Sequence, residues 1–132
     1  MGAEPWSSFA KYDSDFQRAL DAHRRDVFAA GQFRYSEEGP SSIEEALEIA
    51  DADGTASILD IERIADEPDF CCAAPLSAEE LKRFFGSDRP TRDDIEASDE
   101  LWEDLERGQA RFAVVYDDGK PSEIYFAGYS FD

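Results

Sequence analysis

The stretch RFAVVYDDGKPSEIYFAGY, residues 111–129, decides which fold this chain can adopt. Two segments rich in β-branched and aromatic residues, 111–116 and 122–129, flank the polar run DDGKP at 117–121. Such segments favour strands, and an Asp-Gly pair between them favours a tight turn. The stretch therefore predicts a C-terminal β-hairpin.

Two helices are predicted in the first half of the chain. The Ser-x-x-Gln pattern at 14–17 resembles a capping box, which predicts a helix over 15–30. His23 lies on the apolar face of that helix and is expected to be a partly buried packing residue. The serine pair at 41–42 precedes a second helical pattern, which is expected to end at Gly54.

Two more helices are predicted before the hairpin. Ser77 begins a capping box ahead of a short helix that Gly86 ends. Thr91 is expected to cap a longer helix that carries the acidic run 93–106 and closes at Gly108. The residues of this last helix that are expected to point inward are Ile95, Leu101, Trp102 and Leu105.

The remaining segments complete an α+β prediction. In segments 32–35 and 57–64, apolar and polar residues alternate as they do in short strands, although 57–64 also fits a helix. Segment 68–75 is interpreted as a loop or as an edge segment. With 132 residues, the chain is the size of one domain. We expect a single small α+β domain over 13–132, with about four helices and a small, mostly antiparallel sheet, preceded by a loosely ordered leader at 1–12.

Negative charge is concentrated in two blocks of the chain. Asp and Glu number 32 against 13 Lys and Arg, which gives a formal net charge of −19. Residues 37–69 hold twelve acids and one Arg, and residues 93–106 hold eight acids and no base. Phosphate groups need Lys or Arg contacts, so nucleic acids and anionic membranes are not expected as partners. A basic protein surface is the partner that this charge favours.

The location of the protein is predicted from two patterns that its sequence lacks, a membrane span and a secretory signal. No apolar run approaches the ~18 residues that a membrane span requires. The first fifteen residues lack the basic and apolar regions of a secretory signal. A cytoplasmic protein is therefore expected, and its oligomeric state is left open.

The two cysteines and the single histidine predict no metal site or cofactor. Cys71 and Cys72 are adjacent, and a disulfide ordinarily joins more widely separated alpha carbons. Zinc sites usually use four Cys or His ligands, more than this chain supplies. Two reduced, buried thiols are the expected state.

The run DADGT at 51–55 matches two known patterns in part. It has the Asp-x-Asp-x-Thr order of haloacid dehalogenase-type phosphatases, but the preceding residues are helically periodic rather than a buried strand. It also fits a calcium loop that starts at Asp51, except that the glycine required at the sixth position is Ala56. The interpretation is therefore a helix end with solvated acids, and cation binding stays an open alternative.

No catalytic motif accompanies the acids. There is no glycine-rich phosphate loop, no HExxH helix and no Ser/His/Asp order, so the protein is predicted not to be an enzyme. In the last strand, Ile124 and Phe126 face one way while Tyr125 and Tyr129 face the other. One row is expected to fill the core and the other to cover a helix or to meet a partner, because Tyr is enriched at interface hot spots.

These observations predict a small acidic protein that binds a basic partner protein. The most specific form of this prediction is an immunity-type or inhibitory protein whose carboxylates enter a basic cleft of the partner. The alternative is a small-ligand-binding protein or enzyme with a pocket lined by aromatic residues and Arg. The candidate partner-binding residues are Asp93, Asp94, Glu96, Asp99, Glu100, Glu103, Asp104, Tyr125 and Tyr129.

Overall fold

The hairpin predicted from residues 111–129 forms the centre of a five-stranded sheet. The computed structural model describes residues 3–132, which form one small α+β domain. Its helices and strands are β1 Pro5–Lys11, α1 Phe16–Ala30, α2 Ile43–Ala50, β2 Arg63–Ile64, β3 Cys72–Pro75, α3 Ala78–Phe85, α4 Arg92–Glu96, β4 Ala110–Asp117 and β5 Lys120–Tyr129. Four 3-10 helices cover Ser36–Glu38, Asp51–Asp53, Ile58–Asp60 and Glu100–Asp104.

The strand order is β1-β5-β4-β3-β2, so the hairpin strands lie inside the sheet. The two long pairings, β1 with β5 and β4 with β5, are antiparallel, while the short pairings of β3 with β4 and of β2 with β3 are parallel. At the hairpin turn Asp118 and Gly119 both have left-handed backbone, with φ of 51° and 75°. Two left-handed residues are what a tight hairpin turn requires, so the hairpin prediction is confirmed.

The N-terminal segment is a strand over Pro5–Lys11. The expectation of a loosely ordered leader at 1–12 is wrong for these residues, and residues 1–2 lie outside the described part of the chain. Pro5 pairs with Tyr129 and Lys11 with Glu123, while Trp6 and Ala10 are buried. The pairing partner lies more than a hundred residues away, and this nonlocal contact rather than a local signal makes the strand.

Both faces of β5 are buried, each in a different core. Ile124 and Phe126 pack with Leu20 of α1 on one face. Tyr125 and Ala127 pack on the other face with the apolar residues of α3, α4 and the 3-10 helix Glu100–Asp104. The predicted division of the strand into a core row and a row that covers helices is confirmed.

Two predicted helices in the first half form at nearly the expected bounds. In α1 the cap is Asp15, whose carboxylate accepts from the backbone N–H of Arg18, and not Ser14. In α2 the cap is Ser42, as expected. The helix α2 ends at Ala50, and the 3-10 helix Asp51–Asp53 follows it before Gly54.

Three strand assignments need correction. Residues 32–35 form a loop, in which Tyr35 has a left-handed φ of 68°, and not a strand. Residues 57–64 form mainly the 3-10 helix Ile58–Asp60, with only Arg63–Ile64 in the sheet. Within 68–75 the last four residues form an interior strand, β3, rather than an edge.

The predicted long acidic helix at 93–106 is two short elements instead. The helix α4 ends at Glu96, and the 3-10 helix Glu100–Asp104 follows a bend. Ile95 and Leu101 are both buried in the same core. In one continuous helix their six-residue spacing would place them about 120° apart around the axis, so the bend lets both point inward.

Candidate functional site

Three of the predicted acids have structural partners. Asp94 closes a capping box with Thr91 at the start of α4. The Asp104 carboxylate lies 2.6 Å from the Arg83 guanidinium. Glu96 lies 3.7 Å from the Arg92 guanidinium, one helical turn before it. These three acids stabilise the segment itself and are less available to a partner.

The other predicted acids of this segment have no such partner. Asp93, Asp99, Glu100 and Glu103 are exposed, and their side chains form no hydrogen bond or ion pair with a described residue. Glu106, which was not among the predicted residues, has the same exposure and no bonded side-chain partner in the described chain. Apart from Asp93, these acids all lie in or beside the 3-10 helix Glu100–Asp104.

Trp102 and Tyr129 form a half-exposed aromatic pair among these acids. Their ring centroids are 5.6 Å apart in an edge-to-face arrangement, and the Tyr129 hydroxyl donates to the Trp102 carbonyl oxygen at 3.4 Å. Two shallow cavities of about 310 and 220 Å³ share the pair as a wall. We call this the acidic–aromatic surface, and its residues are Asp99, Glu100, Trp102, Glu103, Glu106 and Tyr129.

Sequence reasoning identified Tyr129 but assigned Trp102 wholly to the core. Trp102 does pack against the core of α3 and α4, yet its side chain stays half-buried. The sequence does contain a signal that Trp102 is partly exposed, because four of the six residues at 99–104 are acids, at positions 99, 100, 103 and 104. Tryptophan is among the residue types enriched at protein interfaces.

Tyr125 is not part of this surface. It is 7% exposed, and its ring packs on Phe9 with centroids 5.0 Å apart. Burial raises the pKa of Tyr125, a hydrogen bond with Ser7 opposes that effect, and the negative charge of Asp99 adds to it. The prediction that Tyr125 meets a partner is therefore corrected.

A second cavity adjoins β1 on the face covered by α1. Its volume is about 320 Å³, and its walls include Trp6, Ser7, Ser8, Gln32 and Ser57. The indole N–H of Trp6 is buried and has no hydrogen-bond acceptor among the described residues. Trp6 and Ser7 also line the 310 Å³ cavity on the opposite face of the sheet. The two cavities therefore meet at the edge of strand β1.

The DADGT run is part of a loop held by internal hydrogen bonds. Asp51 and Asp53 lie on a 3-10 helix that follows α2, and not at the end of a strand as in the phosphatase pattern. Asp53 accepts a hydrogen bond from the Tyr35 hydroxyl at 2.7 Å. The Arg34 guanidinium donates to the carbonyl oxygens of Asp53, Gly54 and Asp132. Residues 3–132 contain no cluster of three or more acidic, His or Cys side chains arranged to hold a metal ion.

The cysteines and the histidine occupy packing positions. Both thiols are free, and burial raises the pKa of Cys71 to about 11, so its thiolate is scarce at neutral pH. His23 is partly buried, as predicted, and its ring stacks near Phe126 with centroids 6.1 Å apart. Its Nε2 lies 2.8 Å from the Ser8 hydroxyl, and burial lowers its pKa. Of the two thiols that were expected to be buried, Cys72 is buried and Cys71 is only partly buried.

No protein-family model matches the chain, and no curated protein and no solved structure matches it at a significant level. In the described part of the chain no helix is both long and apolar enough to span a membrane.

Proposed function

We propose that this protein binds a basic partner protein through the acidic–aromatic surface. The observation that carries the proposal is the half-exposed Trp102–Tyr129 pair, flanked by acids that have no ion-pair partner in the described chain. Large aromatic side chains supply most of the affinity at many interfaces, and surrounding charges select the partner and speed its approach. A Lys or Arg placed over the exposed part of the Trp102 indole would gain a cation–π contact as well.

The charge of the whole chain supports the same partner. A net charge of −19 repels acidic macromolecules and attracts basic ones, most strongly within about one Debye length of the surface. The most specific form of the proposal is an immunity-type or inhibitory protein in the cytoplasm, in which Glu100 and Glu103 enter a basic cleft of the partner. A non-enzymatic role belongs to the same proposal.

The alternative of a ligand pocket lined by aromatic residues and Arg has weaker geometric support. A cavity of about 380 Å³ between α4 and the hairpin includes Arg92 and Tyr116 in its wall. The Arg92 guanidinium already lies 3.9 Å from the Phe9 ring centroid and is 3.6 Å from the Glu123 carboxylate. A ligand anion would have to compete with these contacts.

The test compares two charge reversals that change the net charge equally. Glu100→Lys with Glu103→Lys alters the acidic–aromatic surface, and Glu44→Lys with Glu48→Lys alters exposed acids of α2. The partner is captured from native cells by the wild-type protein, and its association rate is measured against salt concentration. We expect the first pair to slow association by about tenfold and to flatten the salt dependence, with a much smaller effect from the second.

Trp102→Ala separates the aromatic contribution from the charge. We expect it to raise the dissociation rate while leaving the association rate nearly unchanged, because a hot-spot side chain acts after the encounter. Equal effects of the two charge reversals, together with wild-type binding by the Trp102→Ala protein, would show that this surface is not the binding site.

A further inference from the structure

Strand β1 has an open edge. It pairs with β5 alone and is the outer strand of the sheet. The backbone N–H of Ser130 donates to the Glu4 carbonyl oxygen, and the N–H of Tyr12 donates to the Ser122 carbonyl oxygen. Even-numbered residues of this segment therefore direct their backbone groups toward β5. By the alternation of an antiparallel ladder, the N–H and C=O groups of Ser7 and Phe9 point away from the sheet.

The open part of this edge is short. Pro5 has no N–H to donate, and Lys11 places a charged side chain at the other end of the strand. Both are devices by which edge strands limit unwanted pairing. Between them Ser7 is exposed and Phe9 is partly buried. No described residue is hydrogen-bonded to the outward backbone groups of either residue, so these groups form a hydrogen-bonding window.

A cavity lies on each side of this window. The 320 Å³ cavity is on the α1 face and the 310 Å³ cavity is on the face of Trp102 and Tyr129, and both are lined by Trp6 and Ser7. Successive side chains of an added strand point to opposite faces of the sheet. An extended chain paired with Ser7 and Phe9 would therefore place neighbouring side chains in the two cavities in turn.

Neither cavity has a charged residue in its wall, but the two differ in what lies beside them. The cavity walled by Trp102 and Tyr129 adjoins the acidic–aromatic surface, because Glu100 and Glu103 are close to Trp102 along the chain. The wall of the cavity on the α1 face includes hydroxyl groups from Ser7, Ser8 and Ser57. A basic side chain in the first cavity would lie near these acids, and a small uncharged side chain suits the second.

We propose that the edge of β1 at Ser7–Phe9 accepts an extended segment of the basic partner as a sixth strand, with Lys or Arg on the Trp102 face and uncharged residues on the α1 face. Such strand addition takes affinity from main-chain hydrogen bonds and specificity from alternating pockets. The inference rests on the function proposed above and names how that partner is held. A second copy of this chain is a poorer occupant, because pairing two β1 edges would bring together two molecules of net charge −19.

The probe is a capped octapeptide of alternating Arg and Val, compared with one of alternating Glu and Val. Binding to the full chain is followed by NMR, together with hydrogen exchange of the backbone amides. We expect the Arg–Val peptide to bind and to slow the exchange of the Ser7 and Phe9 amides by about tenfold or more, whereas the Glu–Val peptide leaves them unchanged.

Two variants at one position isolate the main-chain contact. Ser7→Pro removes the outward N–H without touching the ladder to β5, and Ser7→Ala removes only the hydroxyl. We expect Ser7→Pro to weaken peptide binding by about tenfold or more and Ser7→Ala to bind nearly as the wild type does. If the Ser7→Pro protein fails to fold, an Arg–Val peptide N-methylated at alternate residues applies the same test to the wild-type chain, and we expect it to bind weakly.

Three results would overturn the inference. The Arg–Val peptide could fail to bind at about 1 mM, or could bind without protecting the Ser7 and Phe9 amides. The edge could also be protected without peptide in a concentration-dependent dimer, which would identify a second copy as the occupant. None of these results decides whether the acidic–aromatic surface binds the partner, because the charge-reversal experiment tests that proposal separately.

Discussion

At the scale of single residues, Asp60 is a buried acid with an incomplete set of hydrogen bonds. It is 2% exposed, and its Oδ1 accepts from the Thr55 N–H at 2.7 Å and from the Thr55 hydroxyl at 2.8 Å. Its Oδ2 has no hydrogen-bond partner in the described chain. Burial raises the pKa of Asp60, while the hydrogen bonds from Thr55 and the charge of Arg34 oppose that effect. The ionised form is therefore disfavoured in the folded protein.

This raised pKa predicts a pH dependence that Asp60→Asn removes. A group whose folded pKa lies above its unfolded pKa contributes stability at low pH, and the contribution is lost as the pH rises through the folded pKa. Asn keeps the Oδ1 acceptor but cannot ionise. We therefore expect the unfolding free energy of the wild type, measured with urea relative to the variant, to fall as the pH rises from about 4 to about 7. If the unfolding free energies of the two proteins changed with pH in the same way, the raised pKa of Asp60 would be contradicted, because all other carboxylates are common to both proteins.

At the scale of elements, one ion pair joins α3 to the middle of the sheet. The side chain of Arg111 on β4 is 10% exposed, and its guanidinium lies 2.7 Å from the Glu80 carboxylate. The same guanidinium donates to the carbonyl oxygen of Pro75 at the end of β3, at 3.0 Å. Glu80 also accepts from the N–H of Ser77 and completes the capping box of α3. The Arg111 guanidinium thus connects two strands to α3, and the Glu80 carboxylate is its counter-charge.

Glu80→Ala is expected to destabilise the domain by about 2 kcal/mol, because it leaves a buried guanidinium without its counter-charge and removes half of the capping box. The neighbouring Glu79→Ala is the matched control, since Glu79 lies in the same turn of α3 and is exposed. Its expected cost is below about 0.5 kcal/mol. Urea unfolding of both variants at neutral pH measures the difference, and similar midpoints would mean that the ion pair contributes little.

At the scale of the whole molecule, like charges oppose folding. A net charge of −19 is spread over a small domain in which six ion pairs are formed among the described residues. Several of these pairs are largely exposed, and exposed pairs contribute little. We therefore expect the repulsion among the remaining acids to exceed the attraction within these pairs.

Screening this repulsion with salt should stabilise the protein. We expect the melting temperature to rise by several degrees when NaCl increases from about 20 mM to about 500 mM, because the Debye length then shortens well below the size of the domain. Glu44→Lys with Glu48→Lys reduces the net negative charge by four and should show a smaller rise. Calorimetry at each salt concentration measures both effects, and a melting temperature that falls with salt would instead mean that attractive ion pairs dominate.

The sequence by itself determined the elements whose signals are local. The hairpin follows from the Asp-Gly turn between strand-forming residues. The starts of α2 and α3 follow from their capping serines, each of which bonds a backbone N–H only three residues further along the chain. It also determined the acidic character of the surface and the alternation of β5, because side chains two residues apart share a face in any strand.

Only the tertiary structure decided which segments join the sheet and which acids meet aromatic residues. Strand β1 exists because β5 offers it a pairing partner, and the acidic segment bends because Ile95 and Leu101 enter the same core. The same contacts bury Tyr125 beneath Phe9 and leave Tyr129 half-exposed beside Trp102. Each of these outcomes depends on residues that are distant along the chain. A pattern read within one segment contains no information about that partner, so the burial of a side chain and the pairing of an edge are settled only when the whole chain packs.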